Sequence, residues 1–480
     1  MSAVPPVGKP TRIAYGFGSV AFGVKDGGFN YFLLLFYGQV IGLEQGLVGL
    51  AIFIALVLDA LSDPLVGYWS DHTRSRWGRR HPFLYAAALP VGLSYFALWN
   101  PPADWSQPAL FGWLLGLAIL IRTLITFYET PSSAMMPELT RNYEERTSLQ
   151  AIRVFFGWAG GNSLAILMFG ALLVPTVTYG DGIMNLDGYR TYGIVASVLM
   201  TLAILVSAAG THQRIPTFVQ PPPRPPFSPR RLFGDMLETL RDKSFYAVFW
   251  ATLFGAVAQG LSAALAFIFI GYFWEFTEVQ RFIWLCLVMV SAAIGLGIAP
   301  LAVRRMGKKR AAIALGIVAF SVAPSPIIMR LLDILPANGD PRLFPVIATI
   351  NTIDLGLVIA AQAVLYSMIA DLVENAQLRT GRRSEGVFYA AVTFTRKSTS
   401  GFGALIAGAI LSLVAFPQGA QPGAVSDDTL WRLGAIYAPA ILVLWSAMLL
   451  AISRYPIDKA RHEANLRALD ARDVSGGRQA

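Results

Sequence analysis

Charged residues are scarce in this chain of 480 residues: Asp, Glu, Lys and Arg make up 14% of it, against 55% hydrophobic residues. A water-soluble domain carries about a quarter charged residues. This chain therefore has too few charges to cover a surface that faces water. The composition argues against a soluble enzyme or binding domain and indicates a membrane protein.

Cysteine is almost absent, and a leader sequence is not apparent. The single Cys286 lies inside an apolar run and can form no disulfide within the chain, so redox chemistry is not expected. The N-terminal stretch lacks the basic region, short apolar region and A-x-A site of a cleavable signal peptide. We expect the first span itself to direct insertion.

The apolar residues form long runs instead of the alternation over about ten residues that outer-membrane strands show. A helix crosses a bilayer with about 20 apolar residues. Runs of this kind predict an all-α membrane protein with twelve transmembrane helices. They lie near 14–40, 44–70, 82–100, 109–136, 147–175, 190–210, 244–275, 280–302, 309–331, 343–373, 385–415 and 430–453.

The net charge of +9 comes from the loops and does not indicate nucleic acid binding. Lys and Arg are concentrated after spans 2, 4, 8 and 10, and the loops after spans 1, 3 and 11 are poor in them. Cytoplasmic loops carry such an excess. The pattern predicts a multi-pass protein of the inner (plasma) membrane with both termini in the cytoplasm.

The chain reads as two similar halves. A proline-rich stretch, 212–243, predicts a cytoplasmic linker between a six-helix half at 1–211 and a second at 244–455, with a cytoplasmic tail at 456–480. R-W-G-R-R at 76–80 matches R-M-G-K-K at 305–309, and M-M-P-E-L at 135–139 matches M-I-A-D-L at 368–372. Repeated halves around a midplane site are typical of alternating-access transporters.

Ionisable residues inside the spans are the main functional candidates, because an uncompensated charge at mid-bilayer costs several kcal/mol. Asp59 and Asp63 are four residues apart and therefore share a helix face, to which Ser62 can add a hydroxyl. Two neighbouring carboxylates repel each other unless a proton or a cation lies between them. A cation site is one interpretation, and structural use of one Asp near Pro64 is the other.

Span 4 presents Arg122, Thr126 and Glu129 on one face. Thr126 and Glu129 can add oxygens to the span 2 carboxylates. Arg122 and Glu129 can also simply neutralise each other, and this alternative is equally open. Pro131 weakens the helix just after Glu129, which suits a binding region.

Other charges in the spans have less defined roles. Lys25 and Asp26 are sequence neighbours, which we do not expect to share a face well. Lys397 lies deep in its run and must find a carboxylate, so we expect it beside the acidic cluster. We interpret Asp354 as structural.

A membrane-embedded enzyme is disfavoured. His72, His81, His212 and His462 all lie outside the predicted spans, and Cys286 stands alone. A catalytic site needs a base and a nucleophile placed together, and the sequence shows no such set. A channel fits the two-half repetition less well than a carrier does.

Several motifs together resemble the glycoside–pentoside–hexuronide:cation symporters, the melibiose permease group of the major facilitator superfamily. The resemblance covers most of the chain and rests on the combination of motifs, since any one of them alone would be weak. They are Y-G-F-G (15–18), D-A-L-S-D-P (59–64), T-R-S-R-W-G-R-R (73–80), E-T-P (129–131), A-D-L-V-E (370–374) followed by Arg383 and Glu385, and Lys397.

The resemblance implies a major facilitator fold and assigns roles to these residues. The candidate cation ligands, with Na⁺ possible at the two aspartates, are Asp59, Asp63, Thr126 and Glu129 by resemblance, together with Ser62 from its place on the same helix face. By resemblance Glu129 and Arg153 would also contact the substrate and Lys397 would lie beside the cation site; Asp26, Arg396 and Lys397 are further candidates for contact with the substrate. The paired loops would lock the cytoplasmic side, through Arg76, Arg79, Glu138, Arg141, Arg146, Asp371, Glu374 and Arg383.

The chain departs from the melibiose permease at three positions. The aspartate that holds galactosides there falls on Gly23, with Asp26 one turn further on. A tryptophan of the sugar pocket aligns with Ser133, and the asparagine between the cation-site aspartates is Ser62. These changes leave the cation and the sugar open.

The sequence thus predicts a secondary transporter that couples Na⁺ or H⁺ to symport of a sugar or glycoside, and not an enzyme. The alternative is a symporter of lysolipid or another anionic amphiphile, suggested by the additional cations Arg122 and Arg396. We expect no cofactor beyond the coupling ion. The expected partners are a small-molecule substrate and membrane lipid, not nucleic acid, and a monomer is expected.

Overall fold

The computed structural model describes residues 6–102, 104–140, 142–218, 243–380, 399 and 401–455. Within these residues every regular element is helical. Ten of the helices are long and apolar enough to cross a membrane. The long apolar runs form helices because, in lipid, each backbone N–H and C=O must find its partner within the same segment.

The elements up to residue 217 include a first span with two π-helical turns. They are α1 (Lys9–Phe17), α2 (Ser19–Gly27), a π-helical turn (Gly28–Phe32), α3 (Leu33–Leu35), a second π turn (Phe36–Val40), α4 (Gln45–His72), α5 (His81–Leu98), α6 (Gln107–Leu139), α7 (Tyr143–Leu167), a third π turn (Met168–Leu172), a 3-10 turn (Gly182–Met184), α8 (Leu186–His212) and a 3-10 turn (Ile215–Thr217).

The elements after residue 242 follow the same pattern of long helices. They are α9 (Lys243–Ile268), a π turn (Phe269–Phe273), α10 (Glu278–Met306), α11 (Lys308–Val322), α12 (Ser325–Leu331), α13 (Leu343–Thr380), α14 (Gly401–Leu413) and α15 (Asp427–Ser453). Two predicted spans differ in detail. The first is helical from Lys9 to Val40 but contains a turn at Gly18 and two π-helical turns, and the eleventh is described only from 401 onward, apart from residue 399.

Glycine allows α2 and α7 to approach closely. A Cβ added at Gly23 would lie 1.8 Å from the carbonyl oxygen of Gly157, and one added at Gly161 would lie 2.6 Å from that of Gly23. Small residues at such crossings let helix backbones pack tightly, which is how helices associate in lipid. The crossing places Arg153 of α7 near the first span.

The described residues form two compact units. The first takes its members from 1–227, 263–282 and 401–429, and the second from 228–262, 283–400 and 430–480. In the first unit α4 passes α14 at glycines: a Cβ added at Gly49 would lie 2.7 Å from the Ala404 carbonyl oxygen. In the second unit Phe320 stacks on Trp445, with ring centroids 4.2 Å apart. The predicted division at the 212–243 linker stays a prediction.

Candidate functional site

The carboxylates of α4 meet a hydroxyl of α6 inside the first unit. The Thr126 hydroxyl lies 3.0 Å from Oδ1 of Asp59 and 3.0 Å from Oδ1 of Asp63. Asp59 and Thr126 are buried, with 3% and 1% exposure. Ser62 points elsewhere, because its hydroxyl donates to the backbone carbonyl of Asp59 at 2.9 Å. Three side-chain oxygens therefore converge between two helices.

Arg122 lies beside this oxygen cluster. Its guanidinium donates to Oδ2 of Asp59 at 3.2 Å, and both side chains are 3% exposed. The guanidinium carbon also lies 4.7 Å from the ring centre of Phe29. The alternative in which Arg122 and Glu129 neutralise each other is therefore wrong. The α4 carboxylate approaches Arg122 from a neighbouring helix, whereas Glu129 is two turns away on its own helix.

Glu129 follows Thr126 by one turn of α6 and is half-buried. Among the residues that the structure describes, it forms no ion pair. Ser133, one turn further on, donates to the Glu129 backbone carbonyl at 2.7 Å. A carboxylate at this depth needs hydrogen-bond donors or a cation, so Glu129 can receive the donors of a ligand.

Arg153 is hydrogen-bonded to Ser133, the residue that aligns with a tryptophan of the melibiose permease. The guanidinium of Arg153 donates to the Ser133 hydroxyl at 2.8 Å and to the Tyr15 hydroxyl at 3.4 Å. It also faces the rings of Tyr15 and Phe22, at 5.4 and 5.9 Å. Arg153 therefore joins α7 to α6 and the first span.

Lys25 and Asp26 form an ion pair, with their charged groups 2.9 Å apart. The Lys25 side chain is 4% exposed, whereas that of Asp26 is 54% exposed. The long lysine side chain can bend toward its neighbour even though consecutive residues do not share a helix face. Gly23, one turn earlier, cannot carry an aspartate without separating α2 from α7.

The structure describes the predicted gate only in part. Glu138 accepts a hydrogen bond from Nε of Arg79 at 3.1 Å, and Nε of Arg80 lies 3.3 Å away. Arg146 donates to the Thr140 carbonyl at 2.9 Å, and Arg76 is exposed. The remaining predicted positions lie outside the described residues, or have side chains outside them: Arg141, Asp371, Glu374, Arg383, Arg396 and Lys397.

Sequence reasoning missed three ion-paired sets. Arg80 also pairs with Asp71 at 2.6 Å, and Arg12 pairs with Glu145 at 2.6 Å. Arg281, at the start of α10, pairs with Asp181. Asp71 stands just before the basic loop motif, a signal that could have been used, whereas the other two sets join residues 133 and 100 positions apart.

The chain is similar over nearly its whole length to membrane transport proteins. Residues 14–459 match the family described as MFS/sugar transport protein. An uncharacterized symporter of Synechocystis is 26% identical, with 96% of each chain covered. The isoprimeverose transporter of Lactiplantibacillus pentosus is 23% identical, with 93% of this chain and 88% of that one covered. The sodium-dependent lysophosphatidylcholine symporter 1 of Gallus gallus is 23% identical, with 97% and 90% covered.

Solved transporter structures share the fold. The nucleoside transporter NupG (D323A mutant) superposes with a TM-score of 0.62 at 15% identity, covering 92% of this chain and 100% of that one. The D-xylose-proton symporter gives a TM-score of 0.57 at 14% identity, with 91% and 97% covered. The predicted all-α membrane fold is thereby confirmed.

Proposed function

Since this chain belongs to the MFS/sugar transport protein family, we propose that it moves a sugar or glycoside together with Na⁺ or H⁺ by alternating access. The chain has the major facilitator fold. It is a multi-pass membrane symporter of the major facilitator type and not an enzyme. The substrate, the ion and the cytoplasmic position of both termini belong to the proposal.

The observation that carries the proposal is the position of Thr126 between Asp59 and Asp63, 3.0 Å from an oxygen of each. A hydroxyl has one proton and can donate to only one carboxylate at a time. The hydroxyl oxygen then lies 3.0 Å from an oxygen of the other carboxylate. This contact is stabilised when that carboxylate takes up a proton or when a cation enters between the oxygens. Small hard cations prefer such carboxylate and hydroxyl oxygens. The site is thus suited to a coupling ion.

The substrate part of the proposal starts one turn away. Glu129 shares the α6 face of Thr126 and has no ion-pair partner within the described part of the chain. Sugar hydroxyls can donate to this carboxylate. A cation at Asp59 and Asp63 would lower the negative potential around Glu129, so we expect cation and substrate to bind more tightly together than separately.

In the proposal, the exposed side of Asp26 faces the path of the solute near the first span. Its side chain is 54% exposed although it lies in a predicted membrane helix. A carboxylate in a span faces a cavity or a partner and not lipid. Arg153, which hydrogen-bonds to Ser133 and Tyr15, is the second candidate for contact with the solute in this proposal.

The test is uptake by the full-length protein in vesicles, with a glycoside panel under an inward Na⁺ gradient or an inward proton gradient. Wild type should accumulate one of these solutes against its concentration gradient. D59N and D63N should each lose accumulation. D187N is the matched control, since the Asp187 side chain is 72% exposed. Full cation-driven uptake by D59N would refute the cation site.

A second candidate cargo is a lysolipid, favoured by the similarity to the Gallus gallus symporter. One of the two arginines that suggested this cargo now has a different role, because Arg122 pairs with Asp59. Competition separates the candidates: a lysolipid that blocks cation-driven uptake and is itself accumulated would replace the sugar in the proposal.

A further inference from the structure

Arg122 and the proposed cation site use the two carboxylate oxygens of the same residue, Asp59. One carboxylate oxygen of Asp59, Oδ2, accepts from the guanidinium at 3.2 Å. The other, Oδ1, faces Thr126 at 3.0 Å. The positive charge therefore binds the same carboxylate that the coupling ion would use, from its opposite edge.

The guanidinium is held by few hydrogen bonds for a buried group. Of its five N–H donors, the Nε–H is buried and has no hydrogen-bond partner within the described residues. The Phe29 ring, 4.7 Å away, supplies a cation–π contact that favours a desolvated cation without fixing its orientation. Arginine also keeps its charge at any pH that a cell meets. Among the described residues, Asp59 is thus the one side chain that hydrogen-bonds to this guanidinium.

Building on the proposed function, we infer that Arg122 is a resident cation that competes with the coupling ion for Asp59 and sets the affinity of the ion site. An ion between Asp59, Asp63 and Thr126 brings a second positive charge close to the guanidinium. The two repel strongly in a dry environment, where the effective dielectric constant is low. Binding of the ion therefore requires the guanidinium to retreat from Oδ2.

This competition has a consequence for transport. Without the guanidinium, Asp59 and Asp63 would hold a cation more tightly and release it more slowly. A guanidinium that returns to Oδ2 of Asp59 as the ion leaves replaces the charge of the ion and so favours its release. Arg122 would then determine which external ion concentration drives the carrier.

The test measures Na⁺ binding by the purified full-length protein, from the shift of its thermal unfolding midpoint, with choline keeping the ionic strength constant. R122Q removes the charge and should bind Na⁺ at least tenfold more tightly than wild type. R122K keeps a charge and should stay within about threefold of wild type. R190Q is the control, because the Arg190 side chain is half exposed and pairs with Asp187. The tenfold figure is about 1.4 kcal/mol.

If R122Q binds Na⁺ with the same affinity as wild type or more weakly, the inference is overturned. An increase in Na⁺ affinity that is as large for R122K as for R122Q also overturns the inference. R122M, which has an apolar side chain of similar length, serves if the glutamine amide is not tolerated. If R122Q and R122M are recovered as folded protein only in medium with saturating Na⁺, the ion has replaced the guanidinium and the inference is supported. Their loss in both media shows that Na⁺ cannot replace it and overturns the inference.

The inference and the proposed function fail separately. Cation-driven uptake by wild type combined with an unchanged Na⁺ affinity of R122Q removes only the role of Arg122. Tighter Na⁺ binding by R122Q without cation-driven uptake by wild type removes only the transport assignment.

Discussion

Arg281 donates two hydrogen bonds to Asp181, at 2.8 and 2.9 Å, across 100 residues of sequence. The Arg281 side chain is 3% exposed and lies in the first turn of α10. Asp181 lies in the loop before α8. Asp181 also accepts from the Ile183 backbone N–H at 2.8 Å. Such a planar, two-bonded pair fixes the orientation of both segments.

We expect R281Q to lower the free energy of unfolding by about 2–4 kcal/mol. Breaking one side of a fully buried pair costs about 3–5 kcal/mol, and the cost is somewhat smaller here because the Asp181 side chain is 24% exposed. R342Q is the matched control, because Arg342 pairs with Asp340 but is 81% exposed. Thermal unfolding in detergent measures both. Equal midpoints for the two variants would contradict the prediction.

Thr126 gives the second prediction. T126V keeps the shape of the side chain and removes the hydroxyl between Asp59 and Asp63, so the apparent affinity for the coupling ion should fall at least tenfold. Maximal uptake at saturating ion should change much less. T191V is the control, since the Thr191 hydroxyl bonds only to the Asp187 backbone within the described residues. An unchanged ion dependence of T126V uptake would exclude the hydroxyl from the site.

Gly23 gives the third prediction. G23A places a Cβ 1.8 Å from the Gly157 carbonyl oxygen, so α2 and α7 must separate. We expect a loss of about 2–3 kcal/mol in stability, as for other overpacked contacts. G116A in α6 has no heavy atom within 4 Å of the new Cβ and should stay within about 1 kcal/mol of wild type. The yield and the thermal unfolding midpoint of G23A and G116A test this prediction. Similar values for the two variants would argue against a tight crossing of α2 and α7.

Arg80 gives the fourth prediction. Arg80 is 4% exposed and contacts Asp71, Glu138 and the Ser70 hydroxyl. R80Q should destabilise the protein by about 2–4 kcal/mol, because it leaves two acidic groups with fewer partners. R76Q should have little effect, because Arg76 is exposed and rests against Trp77 at 5.4 Å. The comparison uses proteolysis or thermal unfolding, and an R80Q protein as stable as R76Q would disprove the structural role.

Local periodicity predicted part of the candidate site correctly. Asp59 and Asp63 were expected on one face because they are four apart on a helix, and the structure places both against Thr126. The roles assigned to these residues stay predictions. The same periodicity placed Arg122 and Glu129 on one face but could not show which of the acids Arg122 would bind. That choice depends on how closely α4 approaches α6.

The amino-acid sequence alone determined that the chain is a helical membrane protein and, through its motifs, which family it belongs to. Long apolar runs have one stable solution in lipid, a helix that satisfies its own backbone. Only the tertiary structure decided the pairing of charges: Arg122 with Asp59, Lys25 with Asp26, and Arg281 with Asp181. Side-chain reach and helix approach set these distances, and neither is encoded in the spacing of residues along one helix.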